Sequence, residues 1–298
     1  MIPQNITYIR PDTLKEAWDA WQTAHEEGKE VYYLNGGTET VTYARQNKIH
    51  PQVLIDISRL PELRQLAEDD ADLVFGTALT LHELIEANTF PLLSRCASIV
   101  DHTVRNKLSL GGNVAGRLPY RETVLPFLAA DAEVSIYGAQ GLRRQPISEV
   151  FSKRFNLEGG EILVDFRVNK DMTRFPWAYV RKTRFGQSVD YPLVTLVFLD
   201  ACSARRGISC AVSGAFVAPL RHGFIDETVN EAWILMDEKD APEHFKDLSF
   251  RHEFVESLDV PFVQDQRASA EYRSFLFREA LRECLIQLWN TYEGKTRL

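Results

Sequence analysis

Two short glycine-containing stretches carry residue types that suit phosphate binding. Adjacent glycines permit positive φ and leave backbone N–H groups uncovered, and consecutive uncovered N–H groups form a concave anion site. Two such stretches could hold the two ends of one pyrophosphate, so we interpret them as a flavin dinucleotide site. The first glycine stretch comprises Leu34, Asn35, Gly36, Gly37, Thr38, Glu39 and Thr40. The second glycine stretch comprises Ser109, Leu110, Gly111, Gly112 and Asn113.

Each stretch alone also fits a simple tight turn between a strand and a helix. Neither stretch is a Rossmann fingerprint, because no Gly-x-Gly-x-x-Gly follows a strand, and no Walker loop is present. The sequence has no Gly-x-Ser-x-Gly elbow and no His-Glu-x-x-His pair. With no obvious catalytic base, the pattern favours a flavoprotein that passes electrons, in which the cofactor does the chemistry.

Composition excludes several other classes. The 298 residues are 45% hydrophobic and 26% charged, which is typical of a globular chain with a real core. The net charge of −8 argues against nucleic acid or an anionic membrane as the main partner. The four cysteines form no Cys-x-x-Cys, so we expect free thiols in a cytoplasmic protein. No signal peptide and no membrane helix is expected.

The apolar pattern predicts three lobes, 1–58, 59–174 and 175–298. The first lobe has a helix that starts with a capping box of Thr13 and Glu16, then strands at 31–33 and 53–57. The second lobe has strands at 73–76 and 162–168, a capping box of Thr80 and Glu83, a helix over 91–103 and a hairpin over 134–141.

The third lobe is predicted to have strands at 177–184 and 208–216 and helices at 227–238 and 268–289. Alternation in 208–216 is typical of a half-buried strand, whereas 192–200 fits a strand or a helix. The last helix is expected to bury an apolar stripe formed by Tyr272, Phe275, Leu276, Leu281 and Leu285.

Taken in order, several blocks resemble the FAD-binding medium subunit of molybdenum hydroxylases of the xanthine dehydrogenase and carbon monoxide dehydrogenase type. The resemblance runs nearly end to end and is most specific in Val104-Arg105-Asn106-Lys107-Leu108-Ser109-Leu110-Gly111-Gly112-Asn113-Val114. The other similar blocks are Tyr8-x-x-Pro11-x-x-Leu14-x-Glu16-Ala17, Leu34 to Glu39, Ile55 to Leu63, Gly76 to Thr80 and Arg267-Ala268-Ser269-x-x-Tyr272-Arg273.

The resemblance implies an α+β chain. It would have a two-lobed FAD-binding fold (PCMH/vanillyl-alcohol-oxidase type) and a C-terminal lobe with a three-stranded antiparallel sheet and helices. It also implies the role of an electron-transfer oxidoreductase subunit. FAD would receive electrons that originate at a molybdopterin-binding large subunit and pass through a [2Fe–2S] small subunit. The expected acceptor is NAD⁺, and the expected complex resembles xanthine dehydrogenase of purine breakdown.

The resemblance also carries over site residues. Both glycine stretches would hold the pyrophosphate and neighbouring groups of FAD. Glu122 stands where the family has an acid after the second stretch, and Leu163 matches an apolar residue against the flavin. Lys182 matches a basic residue near the cofactor, with Arg181 as the alternative. Departures from the family pattern include Asn35 for Ala, Glu39 and Glu122 for Asp, and the run Gly116-Arg117-Leu118.

Two alternatives remain at this point. The chain could be a stand-alone FAD oxidoreductase of the same fold, which would need its own substrate pocket. It could also be an assembly subunit that has lost FAD, although the intact glycines argue against this.

Overall fold

The computed structural model describes residues 5–117, 121–183, 192–202, 206–234, 254 and 256–296. The chain forms two compact units. The first unit comprises Met1–Arg117 and Asp131–Lys170, and the second comprises Leu118–Ala130 and Asp171–Leu298. The further division of the first unit into two lobes stays a prediction.

The first unit begins with a small parallel sheet of order β1-β3-β2. Its elements are β1 (Thr7–Ile9), α1 (Leu14–Glu26), β2 (Val31–Leu34), α2 (Thr38–Arg45) and β3 (Val53–Asp56). The Thr13 hydroxyl caps α1 by accepting from the Glu16 N–H at 3.1 Å. The Glu16 carboxylate accepts from the N–H of Asp12, not from that of Thr13, so the predicted cap is confirmed and its reciprocal bond is shifted by one residue.

The rest of the first unit is built on an antiparallel sheet of order β4-β5-β8-β6-β7. The strands are β4 (Leu66–Glu68), β5 (Asp72–Gly76), β6 (Glu133–Gly138), β7 (Gly141–Pro146) and β8 (Ile162–Asn169). The helices are α3 (Leu81–Ala87), α4 (Pro91–Ala97), α5 (His102–Arg105), α6 (Leu110–Ala115) and α8 (Ile147–Val150), and a 3₁₀ turn spans Pro61–Arg64. The capping box of Thr80 and Glu83 is confirmed at the start of α3.

The single helix predicted over 91–103 is wrong, because two short helices occupy this region. Helix α4 ends at Ala97, and a new helix begins after Asp101. The Asp101 carboxylate accepts from the Val104 N–H at 3.1 Å, so it caps α5 and favours a fresh start over a continuous helix.

The second unit is built on an antiparallel sheet of order β12-β11-β10-β9. Its elements are α7 (Val124–Ala129), β9 (Trp177–Thr183), β10 (Pro192–Asp200), β11 (Ile208–Ser213), β12 (Leu220–Arg221), α9 (Gly223–Ile234) and α10 (Ala270–Thr296). The predicted three-stranded sheet is present, and within the described residues β12 adds a two-residue edge strand. Of the predicted helix 227–238, residues 235–238 lie outside the described residues, as does Arg184 of the strand predicted over 177–184.

Complete burial of two strands in this unit explains why their sequence patterns were ambiguous or misleading. All nine residues of β10 are buried, so no periodicity distinguishes it from a helix. All six residues of β11 are buried too, which corrects the half-buried prediction; α7 and α9 both contact this strand.

The predicted stripe on α10 mixes two faces of the helix. Tyr272 and Phe275 are 46% and 48% exposed. The face that is buried carries Arg273, Phe277, Ala280, Leu281, Cys284, Leu285 and Leu288, and Leu276 is also buried. Among the residues that the structure describes, no helix combines the length and the apolar character needed to cross a membrane.

Candidate functional site

The first glycine stretch forms the transition from β2 to α2. Gly37 has φ of 72° and is the N-cap of α2, a left-handed conformation that favours glycine. The N–H groups of its first turn, at Thr38, Glu39 and Thr40, have no intrahelical acceptor. Among the described residues, no side chain caps this helix in their place. These N–H groups lie at the positive end of the helix dipole and suit an anion.

Gly36 brings the two glycine stretches together. A Cβ atom at this position would overlap the Lys107 carbonyl oxygen and lie 3.1 Å from the Ser109 amide nitrogen. Gly36 therefore serves close approach of two backbones, and only Gly37 of this pair needs positive φ.

The second glycine stretch is the start of α6, and its amides are already occupied. The Leu110 N–H donates to the Leu79 carbonyl at 2.8 Å, and the Gly111 N–H donates to the Thr77 carbonyl at 2.8 Å. The Ser109 hydroxyl caps the helix by accepting from the Gly112 N–H at 3.2 Å. The expectation of a second loop with uncovered amides is therefore wrong.

Thr77 organises this part of the first unit, and the sequence reasoning gave it no role. Its N–H donates to the Val164 carbonyl at 3.0 Å, and its hydroxyl donates to the Leu163 carbonyl at 2.7 Å. Its own carbonyl accepts from the Gly111 N–H and, at 3.1 Å, from the Asn35 side-chain amide. Thr77 thus ties both glycine stretches to β8. The sequence feature that could have indicated this role is its position in the block Gly76 to Thr80.

A cavity of about 250 Å³ lies where these elements meet in the first unit. Most predicted site residues of this unit line it: Asn35, Gly36, Gly37, Thr38, Glu39, Thr40, Ser109, Gly111, Gly112 and Leu163. Sequence reasoning assigned no site role to the other lining residues: Tyr33, Ile57, Thr77, Leu108, Ala115, Gly116, Leu157, Glu161 and Ile162. The cavity therefore combines an open helix N-terminus with an apolar wall.

Three predicted residues of the first unit do not line this cavity. Leu34 ends β2, and its side chain lies against Gly37, where a Cβ atom would be 3.1 Å from the Leu34 Cδ1 atom. Leu110 is fully buried in the core, and Asn113 is buried one turn into α6.

Glu39 ties the first glycine stretch to the end of α6. Both of its carboxylate oxygens accept from the Arg117 N–H, at 3.0 and 3.1 Å. The carboxylate also lies close to Gly116, where a Cβ atom would be 3.2 Å from the Glu39 Oε2 atom. Of the run Gly116-Arg117-Leu118, Leu118 lies outside the described residues.

Glu122 lies in the second unit and is 1% exposed. It lines a cavity of about 150 Å³ with Asp265, Arg267 and apolar residues. Among the described residues, one of its carboxyl oxygens has no hydrogen-bond partner. Burial raises the pKa of Glu122 to about 8, against the lowering effects of a backbone hydrogen bond and of Arg181, Arg121 and Arg267. A neutral acid that can donate a hydrogen bond is therefore the form expected at pH 7.

Lys182 and Arg181 have different surroundings in β9. Lys182 forms an ion pair with Glu283 of α10, whereas Arg181 is among the cations that act on Glu122. The structure therefore associates the alternative residue, not Lys182, with Glu122. Contact of either residue with the cofactor stays a prediction.

The first-unit cavity combines a helix N-terminus with an apolar wall, an arrangement that suits a phosphate-containing cofactor. The family described as "FAD binding domain in molybdopterin dehydrogenase" matches residues 4–169. The chain belongs to this family, whose cofactor is FAD and whose members are oxidoreductases. The open amides of α2 and the apolar wall of the cavity fit such a cofactor.

Individual relatives agree with this assignment. The chain is 31% identical over 301 residues to an Escherichia coli (strain K12) protein named as a xanthine dehydrogenase FAD-binding subunit, covering 97% of this chain and 98% of that one. It is 29% identical over 191 residues to the carbon monoxide dehydrogenase medium chain of Hydrogenophaga pseudoflava, covering 62% of this chain. That match spans 66% of the relative, just under two thirds of its length.

The fold is also that of a solved structure. Quinoline 2-oxidoreductase from Pseudomonas putida 86 has a chain that superposes with a TM-score of 0.80 at 18% identity, covering 98% of this chain and 99% of that one. This likeness confirms the predicted fold class.

Proposed function

We propose that this chain is the FAD-carrying electron-transfer subunit of a molybdenum hydroxylase complex that resembles xanthine dehydrogenase. Its partners are a molybdopterin-binding large subunit and a [2Fe–2S] small subunit, and its electron acceptor is NAD⁺. The name of the Escherichia coli relative supports the xanthine assignment, and the medium-chain name of the Hydrogenophaga relative supports a multi-subunit complex. We also propose a cytoplasmic location.

The observation that carries the proposal is the open N-terminus of α2 in the first-unit cavity. The amides of Thr38, Glu39 and Thr40 bind the diphosphate, because charge-assisted hydrogen bonds from N–H groups hold an anion without a lysine or arginine. This matters in a chain whose net charge is −8. The Thr38 and Thr40 hydroxyls add further donors.

The remaining lining residues shape the rest of the cavity. Leu163 presents an apolar surface that excludes water from the cofactor, and Thr77 fixes its backbone. Asn35 is held by its bond to the Thr77 carbonyl, so its role is to fix the first glycine stretch. When bound, FAD exchanges electrons singly or in pairs, the property that joins one-electron clusters to a two-electron acceptor. The contribution of the chain is orientation and exclusion of water.

The proposal is tested on the native complex, purified through a tag on this chain. We expect two additional chains, flavin and iron–sulfur absorption, and NAD⁺ reduction when xanthine is added. Reduction of a quinone or of oxygen in place of NAD⁺ would overturn the acceptor assignment. Activity with another heterocycle, nicotine or carbon monoxide but not xanthine would overturn the substrate assignment. A lone chain that turns over an organic substrate would overturn the subunit role and favour the stand-alone oxidoreductase.

A further inference from the structure

An ion pair between a buried carboxylate, Glu161, and a partly exposed guanidinium, Arg143, stands behind one wall of the first-unit cavity. Glu161 lines the cavity, and its side chain is only 4% exposed. Both carboxylate oxygens accept from the Arg143 guanidinium, and the Nη2–Oε2 distance is 2.9 Å. Arg143 keeps the pKa of Glu161 below its usual range, so the carboxylate stays ionised.

The geometry of this pair depends on a glycine between the two partners. In the sheet, β6 lies between β7, which carries Arg143, and β8, which begins just after Glu161. Gly138 ends β6, and a Cβ atom there would lie 2.9 Å from the Glu161 Oε1 atom. The missing side chain at Gly138 lets Arg143 reach across β6 in two parallel hydrogen bonds, a geometry that lysine does not reproduce.

Glu161 also fixes the turn that leads into β8. Its carboxylate accepts from the Glu158 N–H at 2.9 Å, and its own N–H donates to the Glu158 carbonyl at 3.1 Å. The next residue back, Gly160, has φ of 81°, and its carbonyl accepts from the Tyr33 hydroxyl at 2.8 Å. The apolar residues on either side of this turn, Leu157, Ile162 and Leu163, form a wall of the cavity.

We propose that Arg143 and Glu161 are positioning residues for FAD, which hold the wall at 157–163 in place and balance the charge behind it. This inference rests on the proposed placement of FAD in the first-unit cavity. Neither residue belongs to a glycine stretch, and the chemistry of the pair is electrostatic: a carboxylate at the wall disfavours added electron density in the cavity, and the guanidinium offsets it.

The test compares Arg143→Gln, Glu161→Gln and the double variant with the wild type, all measured for FAD affinity and for the midpoint potential of the bound flavin. Each single variant breaks charged hydrogen bonds to the wall, so we expect the Kd for FAD to rise roughly tenfold. Arg143→Gln leaves the carboxylate uncompensated, so the midpoint potential falls. Glu161→Gln leaves the guanidinium uncompensated, so the midpoint potential rises, and the double variant returns toward the wild-type value.

Matched controls carry the same charge changes on exposed positions nearby. Arg144→Gln on β7 and Glu149→Gln on α8 are expected to leave both the Kd and the midpoint potential at wild-type values. If Arg143→Gln does not fold, Arg143→Lys keeps the charge and removes the second parallel hydrogen bond. We then expect a weaker Kd with a midpoint potential near that of the wild type.

Equal shifts of the potential in the same direction for both single variants, or no shift at all, would overturn the charge-balancing role. An unchanged Kd would overturn the positioning role. These outcomes differ from failure of the proposed function, in which the wild-type chain itself binds no FAD.

Discussion

The two glycine stretches look alike in sequence, but their backbone N–H groups differ in hydrogen bonding. In the first, no side chain of the described residues caps α2, and its first-turn amides at Thr38, Glu39 and Thr40 lack intrahelical acceptors. In the second, carbonyl oxygens and the Ser109 hydroxyl occupy the amides of Leu110 to Gly112. A glycine pair therefore suits a phosphate site only where the N–H groups beyond it are left open.

The glycines of the second stretch allow α6 to pack closely against the segment that contains Thr77. A Cβ atom at Gly111 would lie 2.8 Å from the Thr77 Cβ atom. We therefore propose that the second stretch packs beside the start of α2 and that the first stretch binds the anion.

The largest effect is expected for Gly36→Ala. The new methyl group would overlap the Lys107 carbonyl, and since both partners are backbone, the two stretches must separate. We expect a loss of unfolding free energy on the order of 3 kcal/mol and of FAD affinity of about a hundredfold. Thermal unfolding of the FAD-free chain and FAD titration by fluorescence quenching measure the two effects.

The matched control is Gly112→Ala in the second stretch. Its methyl group would meet only the Ser109 Oγ atom, at 2.9 Å, and alanine favours the helix by about 1 kcal/mol over glycine. We expect stability close to that of the wild type, because the helix gain offsets strain at the Ser109 cap, and a loss of FAD affinity well below that of Gly36→Ala. Equal damage from both substitutions would contradict the contrast between the stretches.

Glu122→Gln tests whether a residue outside both glycine stretches contributes most to FAD binding. Burial raises the pKa of Glu122 from 4.5 to about 8. Between pH 4.5 and pH 8 the folded chain therefore keeps a proton that the unfolded chain has already released. Its contribution to the free energy of unfolding is present at low pH and is lost as pH rises through that window. We expect the variant to gain stability relative to the wild type by a few kcal/mol on going from pH 5 to pH 8.

This difference is measured by denaturant unfolding of both proteins across the pH range, and Glu133→Gln on the exposed end of β6 is the control. A constant difference between Glu122→Gln and wild type at all pH values would contradict the raised pKa. A drop in FAD affinity larger than that of Gly36→Ala would place the main anchor outside the first stretch.

Much of the fold could be predicted from the sequence, because local signals coincide with the structure. The caps at Thr13 and Thr80 and the turn at Gly141 each appear where local chemistry predicts them. The rest depends on tertiary burial. The all-buried strand β10 has no periodicity to read, and the face of α10 that packs inward includes Arg273, a residue type that seldom marks a core.

Gly37→Ala is expected to have an intermediate effect. Gly37 has φ of 72°, and an alanine in the left-handed region costs about 1–2 kcal/mol. The strain falls on the N-cap of α2, so FAD affinity falls roughly tenfold. Gly37→Asn, which tolerates this conformation better, should recover most of the affinity in the same titration. Failure of asparagine to do better than alanine would mean that the backbone conformation is not the cause.

The smallest effect on binding is expected for Ser109→Ala. Loss of the α6 cap costs about 1 kcal/mol of stability, but the amides of α6 do not reach the cofactor in this account. FAD affinity should change by less than about threefold, a difference of under ~0.7 kcal/mol. Isothermal titration resolves such a change, and a tenfold loss would show that the second stretch binds the diphosphate after all.

The site was only partly predictable, for a physical reason. Sequence showed which residues could bind phosphate but not which amides were already bonded, since the Thr77 and Leu79 carbonyls come from a segment about thirty residues earlier. Glu161 was missed for a similar reason, because its role depends on Arg143, 18 residues earlier in the chain and two strands away in the sheet.

Hydrogen exchange at single-residue resolution, measured by NMR with and without FAD, tests the central claim most directly. We predict that in the FAD-free protein the amides of Leu110, Gly111 and Gly112 are already protected while those of Thr38, Glu39 and Thr40 exchange rapidly. Addition of FAD should protect the second group and leave the first nearly unchanged. Protection by FAD that appears at residues 110–112 and not at residues 38–40 would contradict the account.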